Sequence, residues 1–342
     1  MAQLWHPAQN PDNTVMLPVP VPHLVVPFAR CGGDAWLKAI PPRGLKNLVK
    51  LLKGMRASGE DAGDAHCLSP PHERALAAAY GLTTAGGLPD GLIPWAAWEA
   101  DTAGISTLTR AAGLPAHSAW AVITPCHWAM GREHATLTDP EALNLSADES
   151  QTLLRAMQPY FETGGITLHY AAPQRWLAEG EVFRHLPTAS VDRVLGRNVD
   201  SWLPPSKALK LLQNEMQMLL YTHPVNDERL AKALAPVNSF WVSGTGALTQ
   251  ATPPVSTAVS VTRALAHAAF TADWPAYAAA WVALDAGAIA VLLDQQRSGQ
   301  AVKLTLCGES GARTFETAPR HIFSQFMGHL ARWPNEYGCI QL

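Results

Sequence analysis

Apolar residues recur along this chain with two different periods, and the breaks between them outline its elements. His23 to Ala29 (HLVVPFA) is a continuous apolar run ended by Gly32-Gly33, which predicts a short buried strand. From Gly44 to Arg56, Leu45, Leu48, Val49, Leu51 and Leu52 fall at helical spacing with lysines opposite. Ser58 to Asp64 is polar and reads as a loop. Ser69-Pro70-Pro71 reads as a capped helix start, and Gly86 to Pro94 as a turn-rich link. Ala119–Ile123 and Ala135–Leu137 read as strands. Ser146 with Glu149 three residues later is a capping box for a helix reaching about Phe161. Gly164-Gly165 stops that helix, and Ile166–Tyr170 is the next strand, which makes a β–β–α–β unit.

The second half follows the same logic. Pro204-Pro205-Ser206 opens a long helix that ends at His223-Pro224. A short helix from Asp227, a strand Ser239–Val242 and a Gly-rich loop Ser243-Gly244-Thr245-Gly246 come next. Pro253-Pro254 is a linker, and Val259 to Phe270 is helical in pattern. Ala276 to Leu293 is an Ala-rich helix broken near Gly287. Val302–Leu306 is a strand, and the segment Cys307 to Arg313 after it a turn. Arg320–Arg332 is a terminal helix with Ile322, Phe323, Phe326, Met327 and Leu330 on one side. Residues 1–22, ending LPVPVP, predict an extended arm.

Composition narrows the class. A length of 342 residues suggests two domains or one with an insertion, and a net charge of -3 lacks the basic footprint of a nucleic-acid binder. Five scattered cysteines with no C-x-x-C spacing speak against a disulfide framework and for a reducing cytoplasm. The N-terminus has neither the basic region nor the apolar stretch of a signal peptide. The Ala276–Leu293 run is almost long enough to span a membrane, yet Asp285 in its middle would cost about 2.5–3.5 kcal/mol on insertion. Buried globular structure is the expectation, with no membrane partner.

Candidate chemistry concentrates between Leu219 and Gly246. Small residues after a strand, as in Ser243-Gly244-Thr245-Gly246, let backbone N–H groups converge on an anion, or form an ordinary turn. Arg229 suits a bidentate pair with phosphate or carboxylate. Asn226 reads equally as a helix N-cap, and His223 as the end of the preceding helix. Cys126-His127 with Glu133-His134, and Asp64, His66, Cys67 and His72, invite a metal but match no standard zinc spacing. Cys307 and Ser310 follow a strand without G-x-S-x-G or a visible base. Among the tryptophans, Trp176 and Trp241 are expected nearest a cleft.

Several of these segments carry a family resemblance. THPVNDER (Thr222–Arg229), VNSFWVSGTG (Val237–Gly246), TASVDRVLGR (Thr188–Arg197) and the β–β–α–β segment resemble archaeal-type cofactor-independent phosphoglycerate mutases of the alkaline phosphatase superfamily. ITPCHWAMGREHATLTDP, NSFWVSGTG and LTLCGESGARTF resemble the bacterial RpfE-type regulatory proteins. The resemblance implies an α/β fold: an alkaline-phosphatase-like three-layer core from residues 23–115 and 255–342, with a smaller α+β substrate domain inserted at 116–254. By position it makes His223, Asn226, Arg229, Asn238, Ser243 and Thr245 candidates to hold a phosphorylated or carboxylated metabolite.

An active mutase of this kind holds two divalent metals through Asp and His residues. Here no Asp directly follows the first strand, and the place of the late Asp-His pair reads Leu306-Cys307-Gly308-Glu309-Ser310. The expected protein is therefore a cytoplasmic, mutase-like relative without metal cofactor or two-metal phosphotransfer, acting as a regulatory or small-anion-binding protein. Two alternatives stay open. One is an active Mn- or Mg-dependent mutase or phosphohydrolase, using Asp34, Asp64, His66, Asp285, Asp294 or His321. The other is an interaction scaffold with a protein partner.

Overall fold

The computed structural model describes residues 20–40, 44–82, 87–105, 118–248 and 257–319. The chain is a mixed α/β protein built on two main sheets. The first contains β1 (Val21–Val26), β2 (Met55–Ala62), β9 (Thr257–Val261), β10 (Lys303–Cys307) and β11 (Gly311–Thr317), in the order β2-β11-β10-β1-β9. Strands from the two ends of the chain thus share one sheet. β1 pairs in parallel with both β9 and β10, while β11 and β2 are antiparallel additions at one edge. The apolar run of β1 is buried because it lies inside the sheet.

One face of this sheet carries Leu24, Val26, Leu304 and Leu306. Onto it pack the helix Lys46–Lys53, through Leu48 and Leu51, and the helices Trp274–Ala286 and Ala288–Arg297, through Tyr277, Trp281, Ile289 and Leu292. A fully buried leucine such as Leu48 contributes about 2–3 kcal/mol. The helix Pro71–Ala79 covers the other face beside Val25 and Cys307.

The second sheet comes from the middle of the chain: β3 (Trp120–Cys126), β6 (Thr167–Ala172), β7 (Arg175–Glu179) and β8 (Ser239–Gly246), ordered β6-β7-β3-β8 and antiparallel. Helices Ala147–Thr163 and Lys207–Tyr221 bury Leu153, Met157, Phe161, Leu212 and Met216 against one face. The helix Trp95–Thr102 lays Ala96, Ala97 and Ala100 on Trp120, Val122 and Leu177 of the other. A separate hairpin joins β4 (Trp128–Met130) to β5 (Ala135–Leu137).

Several sequence expectations need correction. Ser58–Asp64 is not a loop: most of it lies in β2, a polar strand on the sheet edge, where neither face is buried enough to leave an alternating pattern. Val259–Phe270 divides into β9 and a short helix, Ala266–Phe270, because β9 packs beside β1 rather than on a helix face. The turn expected at Cys307–Arg313 is present but shorter: it spans Gly308–Ser310, with Cys307 in β10 and Gly311–Arg313 in β11. Ser69 does not cap its helix; Pro70 stands at the N-cap, and the Ser69 hydroxyl accepts from Gly91 N at 3.2 Å. The β–β–α–β unit also contains β4 and β7. The capping box at Ser146 and Glu149 forms with both of its bonds. Residues 1–19 of the arm, the linker Pro253-Pro254, the terminal helix at Arg320–Arg332, His321 and the expected domain boundaries near 115 and 254 lie outside the described residues.

Candidate functional site

Several of the side chains read as candidate anion ligands make contacts within the protein. His223, not Asn226, is the N-cap of the helix Pro224–Ala231, and its Nδ1 accepts from Val225 N at 3.2 Å. The imidazole titrates below its ordinary value, because burial disfavours its charged form more than Asp227 favours it. Asn226 is buried and spends both ends of its amide on the main chain. Its Nδ2 donates to Leu220 O and Val237 O at 2.8 Å each, and its Oδ1 accepts from Val237 N at 2.8 Å.

Arg229 is 0% exposed. It donates to Ala235 O at 2.9 Å, to Leu143 O at 2.6 Å and to Glu149 Oε1 at 3.1 Å. Asn238 bridges both main-chain groups of Trp128. Arg229 and Asn226 thus fasten the helix Pro224–Ala231 to its surroundings, and their polar groups face protein atoms.

The Gly-rich segment is also a scaffold feature. Ser243 to Gly246 lies within β8, not in a loop, with Ser243 opposite Val122 and Gly246 opposite Trp120. The Thr245 hydroxyl donates to Leu186 O at 2.5 Å and lies 3.0 Å from Thr188 Oγ1. A Cβ on Gly244 (φ +60°) would come within 3.0 Å of Trp95 Cβ, and one on Gly246 (φ +137°) within 3.1 Å of Pro94 Cβ. The glycines let the helix Trp95–Thr102 and the segment before it approach the strand. Trp176 and Trp241 are core residues whose Nε1 atoms donate to Ser150 Oγ and Ala189 O. Cys126 is fully buried, and His127 Nδ1 lies 2.9 Å from Pro236 O.

A different cluster occupies the carboxyl edge of the parallel strands, where open α/β sheets place their ligand sites. β1 runs into Phe28-Ala29-Arg30-Cys31, β9 into Thr262-Arg263 and β10 into Gly308-Glu309-Ser310. Facing them is the segment Ser190–Arg197 from the middle of the chain. Asp192 receives Nη1 and Nη2 of Arg263 at 2.8 and 2.9 Å, and its Oδ2 lies 3.0 Å from His72 Nε2. Burial pushes the Asp192 carboxyl up, but the hydrogen bonds and charges of His72 and Arg263 outweigh it and hold it well below the usual carboxylate range. The neighbouring Glu73 is raised by burial, although His72 and the hydroxyl of Ser190, donating at 2.5 Å, pull against that.

Residue 309 is the hub of the adjacent group. Arg193 donates to Glu309 O at 2.8 Å and to Cys67 O at 2.7 Å. Arg197 donates to Glu309 Oε1 at 2.7 Å, and Arg74 to Ser310 O at 3.1 Å. Burial first, then the charges of Arg197 and Arg74, lower the affinity of Arg193 for its proton. The Cβ and Cδ of Arg30 lie 3.5 and 3.8 Å from the Cβ position of Gly308. Arg30 itself is exposed and makes no hydrogen bond or ion pair among the described residues. Cys31 beside it is raised to about 11, chiefly by burial, so its thiol stays protonated near neutrality. Five arginines (Arg30, Arg74, Arg193, Arg197 and Arg263) thus share this edge with Asp192, Glu309, Glu73 and Asp61, the last receiving Arg74 Nη2 at 2.7 Å. Among the described residues, no three His, Cys, Asp or Glu side chains come together as a metal-holding group.

Sequence reasoning missed this arrangement. Its local signals were the Asp192-Arg193 pair with Arg197 four residues on, and separately His72 and the Cys307–Ser310 segment after a strand, which nothing in the sequence connects. The partners of those residues lie 71 to 126 positions away.

No family model matches the chain. A 2,3-bisphosphoglycerate-independent phosphoglycerate mutase of Methanosarcina mazei is 26% identical over 119 residues, which cover 33% of this chain and 30% of that protein. The match thus spans less than a third of the curated relative. Among solved structures, the cofactor-independent phosphoglycerate mutase of Thermoplasma acidophilum aligns over 87% of this chain and 90% of its own, at 10% identity and a TM-score of 0.32. The PH0037 protein of Pyrococcus horikoshii aligns over 88% of each chain, at 10% identity and a TM-score of 0.40. The similarity to cofactor-independent phosphoglycerate mutases is weak in both sequence and structure.

Proposed function

We propose that this mutase-like protein binds a small phosphorylated or carboxylated metabolite at the arginine-rich carboxyl edge of β1, β9 and β10, and acts there as a regulator rather than as a two-metal phosphotransferase. The observation that carries the reading is Arg30. It is exposed and unpaired among the described residues, beside Gly308, while Arg193 and Arg197 are bonded to the next residue, Glu309. A guanidinium held at a strand end offers an anion two parallel donors, and its charged neighbours strengthen the field it meets.

The donor chemistry of the edge does not suit two divalent ions. Asp192 has both oxygens on Arg263 and His72, Glu309 is paired with Arg197, and the Cys31 thiol is protonated near neutrality. Hard cations need several free oxygen ligands. We place the protein in the cytoplasm on its free thiols Cys31, Cys67, Cys126 and Cys307.

The test is thermal shift and calorimetry with 3-phosphoglycerate, with and without Mn²⁺ and with chelator. The expected result is a rise in Tm and binding that are indifferent to metal, with affinity falling about tenfold or more in Arg30→Ala as a charge-assisted contact is lost. Turnover that requires Mn²⁺ and disappears with chelator would instead establish the mutase alternative.

A further inference from the structure

The helix Lys207–Tyr221 turns Leu209, Leu212, Gln213, Met216 and Leu220 into the protein, where its leucines and Met216 join the core of the second sheet. Its opposite face carries Lys207, Leu211, Asn214, Met218 and Tyr221, all exposed, in alternating steps of four and three residues. That is the spacing of a helix whose outer seam meets another helix. Leu211 is 61% exposed, Met218 77% and Tyr221 85%, three of the four most exposed large apolar side chains among the described residues. Single exposed apolar residues are ordinary, whereas a row of them on one helix face marks a contact surface.

Charge identifies the occupant. Lys207 and Lys210 stand at the N-terminal end of the helix, whose first turn has no acidic residue and whose last turn has no basic one. A helix dipole favours the reverse arrangement, so the lysines gain nothing from their own helix. Beyond its C-terminal end, the next helix exposes Asp227 and Glu228, the latter 3.9 Å from Lys232. A second copy laid antiparallel brings lysines of one helix to the partly negative carbonyl end and the following acids of the other. A parallel pair would set lysines on lysines. Asn214, the polar residue in the middle of the seam, restricts the register of such a pair at some cost in affinity.

We propose that two copies of this chain associate through the helix Lys207–Tyr221, antiparallel about a twofold axis. In this pairing Leu211 packs against the partner's Tyr221, and Asn214 lies beside the partner's Met218. The helix is about 22 Å long, so the contact falls short of the roughly 1,200 Å² that stable complexes bury. The dimer is therefore weak and reversible. The seam shares no residue with the arginine-rich edge, so the pairing stands or falls independently of what binds there.

Sedimentation of the full chain from micromolar to millimolar concentration tests this. The expected result is a monomer–dimer equilibrium that Met218→Glu and Leu211→Glu each weaken about tenfold or more, with Tm unchanged because both side chains are exposed. Lys210→Glu and added salt should weaken it by smaller factors. A photo-crosslinking residue at position 218 should link to residues 211–221 of a second copy. A monomer at every concentration, or a dimer indifferent to both seam variants, would overturn the proposal. So would a dimer strengthened by Lys210→Glu, or crosslinks from position 218 that stay within one chain.

Discussion

The carboxylate of Asp285 accepts a hydrogen bond from the main-chain N–H of Leu48 at 2.7 Å, across 237 positions of sequence, and another from Asn47 N at 3.1 Å. The helix Lys46–Lys53 has no side-chain cap of its own, since its N-cap residue is Leu45. The acidic residue in the middle of the chain's most apolar run is thus the cap of a different helix. It satisfies donors that would otherwise be buried, and its charge suits a helix N-terminus. Asp285→Ala should lower stability by about 2–3 kcal/mol, because two donors lose a charged acceptor. Asp285→Asn should lose less than Ala, since one amide oxygen can still accept. Urea denaturation of the three proteins checks the order.

Arg229 offers a test between the two readings of the Leu219–Gly246 stretch. Its guanidinium holds three acceptors from separate parts of the chain with no exposure. The contact also contributes to lowering Glu149, where burial opposes and the bonds from Ser146 and Arg229 prevail. Arg229→Ala should cost about 3–5 kcal/mol, as expected when one member of a buried charged network is removed. Arg229→Lys should not restore the loss, because an ammonium lacks the planar fork. The fraction that remains folded should bind phosphoglycerate with unchanged Kd. A selective loss of binding at unchanged stability would return Arg229 to the ligand site.

The ion pair of Asp192 with Arg263 and its 3.0 Å contact with His72 join the middle of the chain to the end of β9 and to the helix Pro71–Ala79. Arg263 has a side chain 49% exposed, so Arg263→Ala should cost only about 1 kcal/mol. Asp192→Ala should cost about 3 kcal/mol, since it strips the partner from a buried His72 as well. Hydrogen exchange should rise in Ser190–Arg197 and in the first turn of Pro71–Ala79 for Asp192→Ala. Equal costs for the two variants would show that the pair does not act as a bridge of unequal ends.

Acid should act in two separate windows. His23 lies in the first sheet with Nε2 2.8 Å from Thr305 Oγ1 and is lowered from 6.5 to about 4, by burial first and then by the charge of Lys303. The folded state therefore keeps it neutral while the unfolded chain protonates. Its contribution is complete above pH 6.5 and is lost as pH falls toward 4, up to about 3 kcal/mol. Asp192 is lowered below the unfolded value of about 3.9, so its contribution is present above that pH and disappears only at lower pH. Stability measured from pH 7 to 3 in His23→Gln should show a shallower upper slope, the remainder coming from His223 and His169, and an unchanged lower one.

Local chemistry was legible wherever a residue's partners are its neighbours. The capping box at Ser146 and Glu149, the stop at Gly164-Gly165, the Ser206 start of the long helix and the break at Gly287 all involve contacts within a few positions, which spacing alone can encode. The edge strand β2 was not legible. Its residues are small and polar, and its strand state comes from pairing with β11, about 250 positions away. Val259 to Val261 looked helical for the same reason: the spacing of valines is compatible with either period until β1 supplies the hydrogen bonds.

By itself, the sequence determined a mixed α/β chain, several of its helix stops and caps, a near-neutral net charge, and a weak likeness to phosphoglycerate mutases. Only the tertiary structure decided which polar residues are spent on holding the chain together. Asn226, Arg229, Asn238 and Thr245 look like ligand groups in a string of letters, yet each finds main-chain partners once the helices and β8 are packed. Arg30, Arg193 and Arg197 look unremarkable, yet β1, β10 and the middle of the chain bring them to one edge. A buried polar group must be satisfied wherever it falls, so burial, which spacing does not encode, separates scaffold from site.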